Sequence, residues 1–151
     1  IAPGAGLAYV AVQIASGCLA VLTVHLMFDL PLFQVAVTPR TGIGQWAGEG
    51  VATFGLILTI LATASAAPER VPTAVALYIF AACWFTSSTS FANPAITIAR
   101  SLTNSFTGIA PGDIPGFVAA QIAGALAGLW VARVLLGQDR GAESGHEGPF
   151  P

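Results

Sequence analysis

Residues 90–111 read SFANPAITIARSLTNSFTGIAP, and the rest of the fold follows from how that stretch is read. It comes directly after an apolar run, with no hydrophilic loop between them. Its Ser, Thr and Asn residues and Arg100 make it too polar to face lipid. Asn93-Pro94-Ala95 opens a short apolar segment ending near Leu102. Asn is a good helix N-cap and Pro is favoured at the first helical position. The stretch therefore predicts a helix of half the usual length, with its free N–H groups and positive dipole end at Asn93.

The flanking segments say where that helix begins. A membrane-crossing helix needs about 20 mostly apolar residues. Leu7 to Phe28 supplies one such run. Trp46 to Ala67 supplies a second, interrupted by Glu49. Val71 to Thr89 is a third, and Pro115 to Leu136 a fourth, with Arg133 near its end. Four crossings leave residues 90–111 as a re-entrant segment that returns to the side it came from. Irregular backbone at that depth is tolerated only where protein or a water-filled cavity covers it. The composition agrees. The chain of 151 residues is 55% hydrophobic and 8% charged, against roughly 25% charged in a soluble domain. It has five arginines, no lysine and a net charge of -2, which excludes nucleic-acid binding, since that needs many phosphate-neutralising cations. The segment from Gly137 to Pro151 is polar and Gly-rich and reads as a disordered tail. Arg70, Arg133 and Arg140 fall on one side and Arg40 on the other, so the positive-inside rule puts the tail in the cytoplasm of a plasma (inner) membrane protein.

Residues 1–15, IAPGAGLAYVAVQIA, repeat as residues 109–123, IAPGDIPGFVAAQIA, at a constant offset of 108. Two crossings separate the copies, so the first and last spans run in opposite directions. This predicts an all-α, inverted-repeat bundle, with its site between the copies near the midplane. The second IAPG follows the re-entrant segment, whereas the first stands at residue 1. The expectation is that a matching segment precedes residue 1 in a longer protein.

The Phe91-Ala92-Asn93-Pro94-Ala95 stretch and the Glu49, Thr53 and Phe54 pattern resemble the aquaporin and aquaglyceroporin (major intrinsic protein) family. The resemblance covers residues 1–136 as a partial transmembrane domain and makes the four spans the family's third to sixth helices. It implies a passive channel for small uncharged solutes (water and glycerol-like polyols), with no cofactor and no enzymatic activity, in a homotetramer set in lipid. Asn93, Pro94 and Ala95 would line the pore. Glu49 would accept hydrogen bonds from the re-entrant loop, though a proton-carrying Glu is the competing reading. Arg100 would either satisfy carbonyls at the outer end of the half-helix or face the pore mouth.

The selectivity filter departs from the family pattern. The positions that correspond to it are Ala81, Ser90 and Ile96, and Ile96 stands where family members commonly have Arg. The filter is expected to be wider and less polar than that of a strict water channel. The stretch FANPAITIAR is similar to bacterial aquaglyceroporins associated with arsenic resistance, which adds arsenite to the implied solutes.

Several residues carry two readings each. Gly124 and Gly128 form a G-x-x-x-G, for packing within the monomer or for a tetramer contact. Gln13 and Gln121 are expected as buried amides in matching pockets. His25 makes an interfacial hydrogen bond or serves as a pH gate. Cys18 and Cys83 read as small apolar residues. Two alternatives to a passive channel stand: an ion-coupled transporter with broken helices, for which Glu49 is the one mid-span ionisable candidate, and an inactive channel fragment.

Overall fold

The computed structural model describes residues 2–143. Those residues form five α-helices and no strands: α1 (Pro3–Met27), α2 (Ile43–Ala66), α3 (Val71–Phe85), α4 (Pro94–Arg100) and α5 (Ile114–Glu143). Short 3-10 turns at Pro68–Arg70 and Pro111–Asp113 lead into α3 and α5. Proline stands in the first turn of α1, α3 and α4, where its missing N–H costs nothing and its fixed φ suits the helix. Among the described residues three segments, Pro3–Met27, Ile43–Ala66 and Pro111–Gly137, are long and apolar enough to cross a membrane.

Two boundaries differ from the sequence reading. The third run stops being helical at Phe85 instead of continuing to Thr89. From Thr86 to Ser88 three hydroxyl residues follow, a composition that favours local side-chain-to-backbone bonds over continued helix. Thr86 Oγ1 donates to the Ala82 carbonyl at 2.7 Å and Ser87 Oγ to the Gly44 carbonyl at 2.7 Å. The last helix runs past Leu136 to Glu143, so the segment read as a disordered tail begins as helix. Gln, Arg, Ala and Glu are competent helix formers, and a glycine costs only about 1 kcal/mol there. Residues 144–151 of that tail lie outside the described residues.

Close approaches give the helix directions. Gly124 sits against the Gly50 backbone. A Cβ on Gly128 would lie 2.7 Å from the Phe54 carbonyl, and one on Gly116 would lie 2.6 Å from Trp46 Nε1. Numbers rise together on both helices, so α2 and α5 run parallel. The G-x-x-x-G therefore packs within the monomer, where small residues let backbones meet. Gly55 sits under the Tyr78 ring, while Gly48 faces Ser87 and Ser88, so α3 runs antiparallel to α2. Gly17 of α1 touches Ala99 of α4, where a Cβ would come within 3.2 Å. The end of α1 is tied to the segment after α4 by His25, whose Nε2 lies 3.0 Å from Thr103 Oγ1 and whose Nδ1 lies 2.9 Å from the Leu32 carbonyl.

The buried apolar cluster is Phe91, Ile109 and Phe117, with Ile114 packed against it. The Phe91 and Phe117 rings meet at 5.4 Å between centroids. The core thus lies where the segment between α3 and α5 meets the first turn of α5, while the long helices keep many large apolar side chains on their outer faces.

Candidate functional site

The segment from Thr86 to Asp113 starts and finishes at one end of α2. Gln45 Nε2 donates to the Ser87 carbonyl at 3.0 Å, which fixes the start beside the first turn of α2. At the finish, the Arg40 backbone N–H donates to Asp113 Oδ2 at 2.7 Å, and the Ala110 N–H donates to the Thr38 carbonyl at 2.8 Å. Between those points the chain reaches Glu49. Six residues into α2, that is roughly 9 Å along its axis.

Glu49 is fully buried. Its Oε1 accepts from the Phe91 N–H at 2.8 Å and its Oε2 from the Ala92 N–H at 2.9 Å. Gln121 Nε2 donates to the same Oε2 at 2.7 Å. Three donors converge on a side chain that donates to none of them, which is carboxylate behaviour. The backbone it holds is unusual. Thr89, Ser90 and Ala92 all have positive φ, at 63°, 50° and 48°. Left-handed non-glycine residues cost on the order of 1–3 kcal/mol each and persist only where their surroundings enforce them. Here the enforcing group is the carboxylate, which faces two N–H groups turned inward by that backbone.

Asn93 then starts α4. Its Oδ1 accepts from the Ala95 N–H at 2.8 Å and the Ile96 N–H at 3.4 Å. The cap commits the amide oxygen and leaves the Nδ2 donors unused among the described residues. Thr97, one turn on, donates from Oγ1 to the Asn93 carbonyl at 2.9 Å and accepts from Gln121 Nε2 at 2.9 Å. Glu49, Gln121, Thr97 and Asn93 therefore form one connected chain of hydrogen bonds from α2 through α5 to α4. Ala95 is buried beside it, and Pro94 is exposed at the first turn.

The expected filter positions are treated differently from one another. Ser90 is buried, with its hydroxyl unpartnered among the described residues. Ala81 is exposed on α3. Ile96 is 37% exposed, next along α4 to fully buried Thr97. Arg100 Nη1 donates to the Thr107 carbonyl at 3.4 Å, and its guanidinium lies 4.6 Å from the Phe91 ring centre.

Gln13 does not share the setting of its repeat partner. Gln121 is 1% exposed, whereas Gln13 is exposed on α1. The pocket around Gln121 is made by α2 and α4. The face of α1 that carries Gln13 has no such neighbour among the described residues, so the two amides differ in burial there.

The sequence reading missed Arg40, which it used only as a loop charge. Arg40 is 5% exposed. It donates from Nε to the Gly108 carbonyl at 2.7 Å, from Nη1 to the Ser88 carbonyl at 2.9 Å and from Nη2 to the Phe106 carbonyl at 2.9 Å. Its guanidinium lies 5.0 Å from the Phe91 ring centre. One side chain thus fastens both limbs of the 86–113 segment to the loop before α2. Burial, and then the neighbouring Arg100 charge, lower its pKa, with Glu49 opposing; an arginine remains charged regardless. No group of His, Cys, Asp and Glu able to hold a metal occurs among the described residues.

Aquaglyceroporin AqpS of Rhizobium meliloti (strain 1021) is 55% identical to this chain over 104 residues, which is 69% of the chain. This chain belongs to the major intrinsic protein family, with the aquaglyceroporins. The matched region spans 45% of the relative's own length. No family model and no solved structure matches the chain. With three long apolar helices, this family member is a multi-pass membrane protein.

Proposed function

We propose that the chain forms the Asn93-Pro94-Ala95 side of a passive pore for small uncharged solutes: water, glycerol-like polyols and the neutral hydroxide of arsenite. The observation that carries this reading is the path of residues 86–113. They leave α3 and rejoin α5 at one end of α2, and their deepest backbone is pinned by a buried carboxylate. Such a path supports reading residues 90–111 as a re-entrant segment and α4 as a half-helix beginning inside the membrane. The α3 helix, 15 residues long, completes four crossings with its 3-10 lead-in. The antiparallel relation of α1 and α5 follows from their ties at that same end and supports the inverted repeat.

The chemistry follows from this placement. The Asn93 oxygen caps α4, so its amide hydrogens are available to a passing solute. The positive end of the α4 dipole repels cations at the same depth. Glu49 is occupied by three donors, which favours loop support over proton carriage. Ala81, Ser90 and Ile96 line the constriction in this reading, without a fixed charge. The side bearing Arg70 and Arg133 is the cytoplasmic one, and the protein assembles as a homotetramer with a pore in each subunit.

The filter is tested by Ile96→Arg in proteoliposomes. A guanidinium at the constriction is expected to cut glycerol and arsenite flux by about tenfold or more, about 1.4 kcal/mol of added barrier. Equal flux in both proteins would remove Ile96 from the filter.

A further inference from the structure

The short helix α4 is packed on two sides. Ala95 and Ala99 face Gly17 of α1, where an added Cβ would lie 3.2 Å from Ala99 Cβ and 3.7 Å from the Ala95 carbonyl. Thr97 meets Gln121 of α5 at 2.9 Å. At about 100° per residue, the strip between those two sides holds Asn93, Ile96 and Arg100. Burial agrees, since Ala95, Thr97 and Ala99 are buried while Asn93, Ile96 and Arg100 are not. Arg100 therefore shares the face of α4 that carries Asn93, one turn beyond Ile96.

Its guanidinium is held in place but not neutralised. Nη1 donates to the Thr107 carbonyl at 3.4 Å, and the Phe91 ring centre lies 4.6 Å away. Arg100 forms no ion pair among the described residues. Glu49 and Asp113 accept from other donors. Arg40 brings a second positive charge to the same ring, at 5.0 Å from its centre.

The place of the charge matters. Arg100 is the last residue of α4. Carbonyls without intrahelical partners and the negative end of the helix dipole gather at such an end. Left alone, that end would draw positive ions toward the strip. A guanidinium there reverses the sign. A fixed positive group beside a narrow path is a barrier to cations, and a molecule without net charge does not meet that barrier. We infer that Arg100 is the charge-selecting residue of the pore, shutting out sodium and other small cations while uncharged solutes pass Asn93 and Ile96. The inference rests on the pore reading above, and it sets the fixed charge one turn beyond the uncharged constriction.

The test measures glycerol influx and sodium leak on the same proteoliposomes. The wild type is expected to pass glycerol and to leak sodium no faster than protein-free vesicles. Arg100→Gln keeps a donor for the Thr107 carbonyl and loses the charge. Its sodium leak should rise by about tenfold or more, with glycerol influx within about threefold of wild type. Arg100→Lys should restore exclusion. If Arg100→Gln fails to fold, Arg100→His makes the comparison within one preparation: sodium leak should be low near about pH 5 and rise toward about pH 8, as the introduced imidazole loses its charge. A sodium leak in the wild type, wild-type exclusion in Arg100→Gln, a leak as large in Arg100→Lys, or a leak in Arg100→His that ignores pH would each overturn the assignment and leave the pore reading standing. No glycerol influx in the wild type would overturn the pore reading, and this assignment with it.

Discussion

Replacing Glu49 is expected to loosen the loop before Asn93 more than any other single change. The carboxylate accepts three hydrogen bonds of 2.7–2.9 Å from fully buried surroundings. Each hydrogen bond to a charged group contributes about 1.5–3 kcal/mol. Their sum overstates the loss, because a truncated site relaxes and the desolvation cost of the carboxylate disappears with it. Breaking a buried charged arrangement from one side typically costs about 3–5 kcal/mol, and we assign that to Glu49→Ala. Glu49→Gln keeps the shape but presents one oxygen and one NH2 group to three donors. At least one donor then faces another, at about 1–3 kcal/mol. A chain of this size loses roughly 2–4 °C of melting temperature per kcal/mol. Thermal unfolding in detergent, followed by size-exclusion retention, should show a drop of about 6–20 °C for Glu49→Ala and a smaller one for Glu49→Gln. Glycerol flux should fall in the same order. Wild-type melting in both variants, with transport turned off in Glu49→Gln alone, would refute this reasoning and favour a proton-carrying Glu49.

Two further outcomes rest on packing and on the loop clamp. Gly124→Ala puts a methyl group into the Gly50 backbone and should cost about 1–3 kcal/mol as overpacking. Gly6→Ala, with nothing within 4 Å, should be neutral or stabilising by up to about 1 kcal/mol; a denaturant or thermal series that ranks the two equally would contradict the α2–α5 contact. Arg40→Lys should destabilise by about 2–4 kcal/mol, because one ammonium cannot reach three carbonyls and each buried carbonyl left unpaired costs about 1–3 kcal/mol. Protease accessibility of the 86–113 segment should rise in that variant, and unchanged cleavage would count against the clamp.

The long helices were legible because apolar length alone specifies them. The α4 start was legible because Asn-Pro is a local signal, and its cap is made within four residues. What the sequence hid depends on contacts distant along the chain. Arg40 pairs with carbonyls of Ser88, Phe106 and Gly108, and a carbonyl leaves no mark in the residue type that carries it. The early end of α3 falls where Thr86, Ser87 and Ser88 follow one another, and one of their hydroxyls reaches a carbonyl on α2. The repeat sets residues 1–15 against 109–123, yet Gln13 and Gln121 differ in burial, because matching residues share a setting only where matching neighbours surround them. Glu49 was marked out by the cost of a carboxylate among apolar residues, yet only the folded chain shows three donors meeting there.

In the proposed pore the Asn93 amide meets uncharged solutes that move down their own gradient. The most direct test is stopped-flow glycerol influx into proteoliposomes with no proton or sodium gradient, comparing wild type with Asn93→Asp. The aspartate keeps an oxygen to cap α4 but removes the amide donors and adds a charge. Downhill influx is expected in the wild type and a loss of about tenfold or more in Asn93→Asp, with thermal stability retained. Influx that requires an ion gradient, or that is the same in both proteins, would contradict it.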